Sequence, residues 1–462
     1  MSADWRLRGN MRAQVANGAL PPGPKLPRAV QAIGWVKRPL PFLERCQRRY
    51  GDTFTLRMTN WGDWVVLCDP DDVKAVFTAG DAVGVDVANP LLWPILGPRS
   101  VMLLEEPQHM VRRKLMLPPF HGKWMNRDAE VMAAVARREA RSWPAGEPFE
   151  MWPRMQAITQ EVVVRAVFGN ADDAGLRDVR TRLTRLTEWM NDPRNLTLLA
   201  VFGPGAIVRS RAYKEAMRPV EQAVLDEVYK RRAEGPDGRQ DIVSMLAHAR
   251  YDDGEPMSDR ELRDELLTLL TDGPTSASLA RVFERLLRHP EKLSRVGAEL
   301  DGDEEDGAYL DAVIKETLRL CAPVPVVVRR LLEPMRLGGY DLPAGTTVAP
   351  CIHLIHRRPD IYENPCAFMP ERFLGSPPGT YTWIPFGGGT RRCLAARYAE
   401  LEMARVLRSV LAEVELRPLD TRPEGVGRGG IAFSPDQNGL VVAKPRTENA
   451  KEESERWEPI PT

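Results

Sequence analysis

One cysteine near the C-terminus stands behind three glycines and a basic pair, a combination that suits the binding of a flat ligand through sulfur. The run is Phe386-Gly387-Gly388-Gly389-Thr390-Arg391-Arg392-Cys393. Glycine has no Cβ atom, so it lets the main chain approach the face of a ligand. The sequence after Cys393 predicts a helix, whose free N–H groups and dipole favour an anionic sulfur. Because an ordinary thiol has a pKa of about 8.5, a thiolate metal ligand needs that help.

The pattern of this run resembles the haem-ligand loop of the cytochrome P-450 family, Phe-x-x-Gly-x-Arg-x-Cys. A lone cysteine is more often a small buried apolar residue, but all the fixed positions match, at Phe386, Gly389, Arg391 and Cys393. The resemblance implies haem b as cofactor, with Cys393 as the iron ligand and Phe386 and Gly389 among the cofactor-binding residues. Ala395 replaces a glycine that the family usually has there. Alanine is a good helix former, so we expect haem binding to survive.

A second motif indicates a charged network that supports the cysteine loop. Glu316 and Arg319 are three residues apart in a predicted helix and therefore share a face. The segment Phe368-Met369-Pro370-Glu371-Arg372-Phe373 resembles the family's Pro-Glu-Arg-Phe segment, whose arginine joins that pair. The resemblance thus implies a buried Glu316–Arg319–Arg372 network with a structural rather than an acid–base role. Removing one member would cost several kcal/mol, because a charge would be left unpaired.

Cations at three further places suit the two propionates of haem. His109 and Arg113 lie one helical turn apart, and their His-x-x-x-Arg spacing resembles the family's propionate-binding helix. Imidazole and guanidinium groups form charge-assisted bonds to carboxylates. Arg391 would be a third anchor by the same logic. Either Arg329 or Arg330 resembles a fourth, and we favour Arg329.

The helix expected on the other side of the haem departs from the family pattern. Relatives carry Ala-Gly-x-(Asp/Glu)-Thr-Thr, an acid and an alcohol that supply protons for dioxygen reduction. Here the sequence reads Thr271-Asp272-Gly273-Pro274-Thr275, about two residues short. The resemblance makes Thr275 the candidate hydroxyl and Asp272 a displaced acid. A proline inside a helix costs about 3 kcal/mol, so we expect a kink at Gly273-Pro274 in a helix of about 259–289. Two explanations remain open, a helix defect with protons from water or an altered oxygen chemistry.

The sequence between the motifs predicts the elements that position them. Segments 53–58 and 64–68 predict a β-hairpin, residues from about 107 to 330 predict successive amphipathic helices, and a small β-region returns around 337–348. We therefore predict a mostly α fold with minor β structure in two small sheets. The resemblance implies the single-domain cytochrome P-450 fold.

The chain divides into three parts by composition. Residues 1–19 form a polar leader, residues 20–444 the cytochrome P-450 domain, and residues 445–462 a charged tail that we expect to be disordered. The leader has no apolar run, so we expect neither a signal peptide nor a membrane anchor.

Composition narrows the partners and the compartment. Lys and Arg together number 64, as do Asp and Glu, so no overall basic field indicates nucleic acid or anionic lipid. The six cysteines contain no C-x-x-C pair and suit a reducing compartment, for which we expect the cytoplasm.

The resemblance implies haem-thiolate monooxygenation of an apolar small molecule with O2. The sequence contains no Gly-x-Gly-x-x-Gly after a strand, so we expect electrons from an external ferredoxin or flavodoxin and its NAD(P)H reductase. A basic face could steer an acidic partner, and we expect this face to contain Arg112, Lys114, Arg392 and Arg397. The segments expected to line an apolar pocket are 82–104, 324–328 and 430–433.

Two alternatives remain. Without the acid–alcohol pair, the protein could use peroxide or perform non-oxygenating haem chemistry. It could also be a non-catalytic relative that acts as a partner protein, although such relatives typically lose the cysteine.

Overall fold

The structure is a computed structural model that describes most of the chain. The described residues are 20–59, 61–85, 92–169, 174–192, 194–195, 198, 204–235, 241–271, 273–302, 307–420, 424–429 and 432–446. The leader at 1–19, Asp272, and residues 430–431 of one predicted pocket segment lie outside these ranges. So do residues 447–462 of the tail, whereas the last described strand extends through Pro445.

Helices dominate the described chain. Those of the N-terminal half are α1 (Arg28–Lys37), α2 (Pro39–Tyr50), α3 (Pro70–Thr78), α4 (Trp93–Leu96), α5 (Gln108–Met116), α6 (Lys123–Ala140), α7 (Met151–Phe168), α8 (Ala174–Asn191), α9 (Pro204–Arg209) and α10 (Arg211–Glu234). Those of the C-terminal half are α11 (Ile242–His248), α12 (Asp259–Leu270), α13 (Pro274–Leu287), α14 (Pro290–Asp301), α15 (Ala308–Leu320), α16 (Ile352–Ile355) and α17 (Ala396–Glu413). The predicted succession of helices in the middle of the chain is confirmed.

The strands are short and form four sheets among the described residues, so the prediction of two sheets was wrong. They are β1 (Thr53–Met58), β2 (Gly62–Leu67), β3 (Val83–Val85), β4 (Pro148–Glu150), β5 (Arg329–Leu331), β6 (Met335–Leu337), β7 (Tyr340–Leu342), β8 (Thr347–Pro350), β9 (Val414–Pro418), β10 (Val426–Gly429), β11 (Ala432–Pro435) and β12 (Leu440–Pro445). Strands of three or four residues carry too little alternation to be recognised in sequence.

The predicted hairpin of β1 and β2 is confirmed and forms the edge of the largest sheet. That sheet has the order β1-β2-β8-β5-β3, with β2 and β8 parallel and its other neighbours antiparallel. The remaining sheets are β4-β12-β9, β10-β11 and β6-β7. The largest sheet thus joins the N-terminal hairpin to Arg329 of β5.

A large apolar core packs helices of both halves of the chain against one another. In this core α17 packs on α6 and α15, and α13 packs on α7 and α15. The residues that fill it include Val313, Phe283, Val406 and Val410, all at most 1% exposed. Apolar burial of this kind contributes about 25 cal/mol per Å², the main favourable term of folding. The fold is the predicted helix-rich single domain.

No helix in the described ranges is both long enough and apolar enough to cross a lipid bilayer.

Candidate functional site

Cys393 lies on an exposed turn between two helical segments. A single helical turn, Gly389–Arg391, precedes it, and α17 begins three residues after it, at Ala396. The backbone N–H of Cys393 donates to the carbonyl oxygen of Phe386 at 2.9 Å, which closes the loop. Its thiol is exposed. The cysteine is therefore held beside a helix N-terminus, although it does not belong to the helix.

The glycines of this loop are required by the packing of the protein itself. Gly387 and Gly389 have φ values of +69° and +68°, which L side chains rarely adopt. A Cβ atom on Gly388 would overlap the ring of Phe77, and one on Gly389 would overlap the Phe77 carbonyl oxygen. The end of α3 thus explains two of the glycines that we attributed to a flat ligand. Contact of Gly389 with haem stays a prediction.

A cluster of cations lies next to the cysteine loop. The Nη2 atom of Arg391 is 3.5 Å from a carboxylate oxygen of Glu105 and 3.7 Å from one of Glu106. The ring of His109 is buried, with Nδ1 2.7 Å from Glu106. Burial, together with the nearby charge of Arg391, lowers the pKa of His109. Burial also lowers the pKa of Arg113, and the Cys393 sulfur acts on that arginine in the opposite direction.

Arg329 belongs to the same cluster. Its guanidinium donates to the carbonyl oxygen of Val328 at 2.9 Å. Burial and the charge of Arg391 lower the pKa of Arg329 to about 10, and Glu105 opposes that shift. The charge of Arg391 thus acts on Arg329. The choice of Arg329 over Arg330 as a propionate ligand stays a prediction.

The charge balance of the cluster fits a ligand with two carboxylates. Within the described chain the buried Nη2 atom of Arg391 has no hydrogen-bond partner. Burying a charged group without hydrogen bonds costs several kcal/mol, so this atom indicates a missing acceptor. Three arginines and a histidine face two glutamates here. The two propionates of haem would supply the missing acceptors.

Glu316, Arg319 and Arg372 meet in a buried network. Arg319 donates to the two carboxylate oxygens of Glu316 at 2.7 and 2.8 Å, and both side chains are fully buried. Arg372 donates to the same carboxylate at 3.1 Å, and the Met369 N–H donates at 2.9 Å. Arg319 also donates to the carbonyl of His356 at 2.6 Å. The network ties α15 to the segment that precedes the cysteine loop.

His356 completes this connection, and sequence reasoning missed it. Its Nδ1 lies 3.0 Å from the Arg319 carbonyl oxygen, and its Nε2 accepts from the N–H of Ile384 at 2.8 Å. Burial lowers the pKa of His356 well below the usual value, so the ring is neutral with the proton on Nδ1. In sequence this histidine belongs to none of the motifs that we recognised, so nothing marked it.

The expected helix of about 259–289 is two helices. α12 ends at Leu270, α13 begins at Pro274, and Gly273 is the residue before α13. A proline is favourable at the first position of a helix, because its missing N–H would have no partner there. Pro274 therefore starts a helix instead of kinking one. Asp272 falls in the break, outside the described residues.

Four hydroxyl groups surround this break. Thr271 donates to the Leu267 carbonyl at 2.7 Å, Ser278 donates to the Pro274 carbonyl at 2.8 Å, and Ser276 donates to the Gly273 carbonyl at 3.0 Å. Thr275 is half-buried, and no hydrogen bond of its hydroxyl is found in the part of the chain that the structure describes. Thr275 thus has the one hydroxyl of the four that is not bound to its own helix.

Arg112 connects two helices and was misassigned from sequence. We expected it on a docking face, but it is only 4% exposed. It donates to Glu261 at 2.6 Å and to Glu265 at 2.8 Å, both on α12, and to the Arg99 carbonyl at 3.1 Å. Arg112 lies on α5, the helix that carries His109 and Arg113. Lys114, Arg392 and Arg397 are exposed, as expected.

Side chains from the middle of α12 onward also hold the segment of 99–101. Asp264 accepts from the Arg99 N–H at 2.9 Å, Glu265 accepts from the Val101 N–H at 3.1 Å, and Thr268 donates to the Ser100 hydroxyl at 2.7 Å. This segment lies within 82–104, one of the predicted pocket walls. We refer to these contacts and to Arg112 as the α12 clamp. The α12 clamp could not be predicted, because no sequence pattern pairs residues about 165 positions apart.

The comparisons with known proteins all indicate the same family. The family model described as cytochrome P450 matches residues 21–440. Cytochrome P450 135B1 of Mycobacterium bovis is 40% identical over 420 residues, covering 88% of this chain and 87% of the relative. Cytochrome P450 137 of Mycobacterium tuberculosis is 35% identical over 454 residues, or 94% of each chain.

Solved structures show the same fold. A cyanobacterial CYP120A1 with bound retinoic acid aligns with a TM-score of 0.79 and 21% identity, covering 93% of this chain and 100% of the other. The haem domain of cytochrome P450DA also has a TM-score of 0.79, at 22% identity, and covers 93% and 98%.

Proposed function

Since the chain belongs to the cytochrome P450 family of haem-thiolate monooxygenases, which carry haem b, we propose that it oxidises an apolar small molecule with O2 and two external electrons. The observation that carries the proposal is the exposed thiol of Cys393 beside the Arg391 cluster, in which a buried guanidinium nitrogen has two carboxylates at ion-pair distance but makes no hydrogen bond to the described residues. This site offers one sulfur ligand together with cations for two carboxylates.

The residues that would hold the haem can be assigned by chemistry. Cys393 would bind the iron through its thiolate, and Arg391, Arg329, His109 and Arg113 would pair with the propionates. A haem with a thiolate ligand supplies the O2 activation and O–O cleavage needed for oxidation of a C–H bond. Phe386 fixes the loop through its carbonyl, which accepts from the Cys393 N–H. The Glu316, Arg319 and Arg372 network supports the segment that precedes the loop.

Thr275 is the proposed proton-carrying hydroxyl. Because its hydroxyl makes no hydrogen bond within the described residues, it can accept a proton from water and donate one toward the substrate side. Asp272 precedes Thr275 by three residues in sequence and would be the acid that returns a proton to it. Both assignments depend on the break between α12 and α13. Family members carry the acid–alcohol pair at this place within a helix.

The break supports a second candidate function. The start of α13 at Pro274 replaces the usual arrangement of proton donors, and chemistry that does not need two delivered protons would tolerate this change. Peroxide-dependent oxidation, or non-oxygenating isomerisation or dehydration, meets that condition. Turnover with hydrogen peroxide and without an electron donor would favour it, whereas strict dependence on the donor would exclude the peroxide route.

The electron donor would be a ferredoxin or flavodoxin with its NAD(P)H reductase, and the compartment the cytoplasm. The Gly-x-Gly-x-x-Gly spacing at 425–430 falls on strand β10 and not at the start of a helix, so it does not have the context of a dinucleotide-binding motif. Arg392 and Arg397 are exposed cations beside Cys393, and an acidic carrier would bind there. Lys114 is also exposed, and its Nζ atom lies 3.6 Å from Asp252. A non-catalytic partner role is disfavoured because Cys393 and the whole network of Glu316 are retained.

The test compares two exposed cysteines in the haem-loaded protein. Cys393→Ala should abolish the red-shifted band of the reduced, carbon monoxide-bound haem, whereas Cys366→Ala, also exposed, should retain it. A Cys393→Ala protein that keeps the band would refute the ligand assignment. A wild-type protein that lacks the band would instead support the non-catalytic role.

The substrate can be sought by the same haem absorbance. Candidate apolar compounds would be screened for shifts of the haem band, and those that bind would be tested for product formation with NADPH, ferredoxin and reductase. Product formation that ceases without O2 supports monooxygenation. Products that form equally under nitrogen would contradict it.

A further inference from the structure

Helix α1 presents a row of large apolar side chains to solvent. Leu26, just before the helix, and Val30, Ile33 and Val36 within it are 50%, 46%, 54% and 40% exposed. Leu26, Val30 and Ile33 follow one another at intervals of three or four residues and so lie on one side of the helix. Single exposed apolar residues are common, but a row of them is not. We call these four residues the α1 apolar stripe.

The opposite side of α1 fixes the orientation of the stripe. Gln31 is fully buried and donates to the carbonyl oxygens of Pro24 and Leu26 at 3.1 and 2.8 Å. Its side-chain oxygen accepts from the Arg57 N–H at 2.9 Å, which ties α1 to strand β1. Trp35 is 9% exposed and packs edge-on against Trp64. The helix cannot turn its apolar stripe inward without losing these bonds.

The stretch of sequence that contains the stripe carries charge of one sign. Between Asp4 and Glu44 the sequence contains no acidic residue and seven basic ones, Arg6, Arg8, Arg12, Lys25, Arg28, Lys37 and Arg38. The whole chain is neutral, so this imbalance is local. Arg28 is paired with Asp63 at 2.6 Å, whereas Lys25, Lys37 and Arg38 are exposed and flank the stripe.

An aromatic ring stands beside this region. Trp61 lies in the β1–β2 connection, is half-buried and stacks on Trp64 with ring centroids 6.1 Å apart. Tryptophan is favoured where an apolar surface meets a polar one, because its ring is amphipathic. The region therefore combines an apolar stripe, flanking cations and an interfacial aromatic residue.

We propose that the α1 apolar stripe and its flanking cations bind the surface of an anionic lipid bilayer, with α1 lying in the interface. A helix with an apolar face and basic flanks lies in the headgroup region without crossing the bilayer. Anionic headgroups attract the exposed lysines and arginines. A second copy of the chain is the weaker candidate, because pairing two such faces would bring together two groups of cations.

The binding can be measured by sedimentation of the full-length haem-loaded protein with vesicles. Vesicles of phosphatidylcholine alone are compared with vesicles of equal parts phosphatidylcholine and phosphatidylglycerol. We expect at least about tenfold stronger partitioning to the anionic vesicles, falling several-fold between low salt and 0.5 M salt as charges are screened. Equal, negligible sedimentation with both vesicles would overturn the proposal.

Substitutions test whether the α1 apolar stripe, and not exposed apolar residues in general, contacts the bilayer. Ile33→Glu and Val30→Glu should each lower partitioning about tenfold, because a charge enters the apolar contact. Leu332→Glu is the matched control, since Leu332 is 49% exposed elsewhere and should bind as wild type does. The double variant Lys37→Gln/Arg38→Gln should lose preference for anionic vesicles. An unchanged haem spectrum verifies that each variant is folded.

Other occupants of the stripe would give different results. A wild-type dimer in analytical ultracentrifugation that Ile33→Glu makes monomeric, without vesicle binding, would assign the face to a second copy. Hydrogen exchange of residues 26–36 that becomes faster when residues 1–19 are removed, without vesicles, would show that the chain's own leader covers the stripe. Equal vesicle binding by wild type and Ile33→Glu would also contradict the proposal.

Discussion

The hydroxyl of Thr275, unlike those of its neighbours, makes no hydrogen bond to a backbone carbonyl among the described residues. Thr271, Ser276 and Ser278 each donate to a backbone carbonyl of α12 or the α13 start. Hydroxyls held in this way satisfy the helix and are not available to a ligand. Thr275 is available, and this is a property of side-chain geometry that sequence alignment could only suggest.

Thr275→Ala is therefore expected to uncouple electron use from product formation. We expect at least about a fivefold fall in product per NADPH consumed, because a positioned proton donor contributes about 10²-fold or more to proton transfer. The measurement is product, peroxide and NADPH balance with ferredoxin and reductase. Thr271→Ala is the control and should couple as wild type does. Unchanged coupling in Thr275→Ala would show that water alone supplies the protons.

Residues that belong to a recognised sequence motif could be predicted as site residues. Residues whose role comes only from tertiary contacts could not. Cys393, Glu316 and Arg372 belong to patterns with fixed spacing, and the structure brings Glu316 and Arg372 together. His356 joins the same network but has no such spacing. Arg112 was misplaced because a basic residue in the same predicted helix as His109 and Arg113 looks exposed until its partners on α12 are known. These partners are the half-buried Glu261 and the buried Glu265.

At the scale of elements, the break between α12 and α13 changes how Pro274 should behave. Inside a helix, a proline removes a hydrogen bond and clashes with an earlier carbonyl, at a cost of about 3 kcal/mol. At the first position of α13 neither penalty applies. The chain offers an internal comparison, since Pro219 does lie inside α10.

Pro274→Ala should accordingly change the free energy of unfolding by less than about 1 kcal/mol. Pro219→Ala should stabilise the protein by about 1–3 kcal/mol, because alanine restores a helical hydrogen bond. Urea unfolding of the haem-loaded proteins measures both. If Pro274→Ala is stabilising by as much as Pro219→Ala, the proline strains one continuous helix and the break is not intrinsic.

The α12 clamp makes stability depend on pH through Glu265. Burial raises the pKa of Glu265 to about 7, although the Val101 N–H and Arg112 oppose that shift. An unfolded glutamate has a pKa of about 4.3, so between pH 4.3 and 7 the folded state binds more protons. Stability from this group is therefore fully present below about pH 4.3 and is lost as the pH rises to about 7.

Glu265→Gln should remove the loss of stability that wild type shows as the pH rises from about 4.3 to about 7. Relative to wild type, the variant should gain on the order of 3 kcal/mol in the free energy of unfolding between pH 4.5 and 7.5, at 1.36 kcal/mol per unit of pKa shift. Denaturant titrations at several pH values give the two curves. The exposed Glu255→Gln should run parallel to wild type. Parallel curves for Glu265→Gln would show that Arg112 keeps Glu265 ionised throughout.

The clamp and the break show why element contacts escape sequence reasoning. Amphipathic periodicity predicts α12 and α13 as helical, and the turn residues Gly273 and Pro274 mark an interruption. Whether the interruption is a kink or two helices depends on residues packed against it. The clamp joins α12 to residues 99–101, a separation over which no local pattern operates.

At the scale of the whole molecule, a neutral chain has strongly uneven charge. The N-terminal region up to residue 43 is basic, and a second group of exposed cations, Arg392 and Arg397, lies at the cysteine loop and the start of α17. Composition alone excluded a basic field, because it averages these residues with the acidic residues of the rest of the chain. Only the fold assigns each group to a face and so allows each to have a different partner.

Arg397→Glu tests the second group as the docking site for an electron carrier. Arg397 is exposed at the start of α17, and reversing its charge should repel an acidic ferredoxin. At low salt we expect about a tenfold slower reduction by ferredoxin, with a difference that shrinks as salt rises. Reduction by dithionite should not change, because it needs no protein docking. Arg211→Glu, whose side chain is 92% exposed on α10, is the control. Equal slowing in both variants would mean that overall charge, rather than this face, governs the encounter.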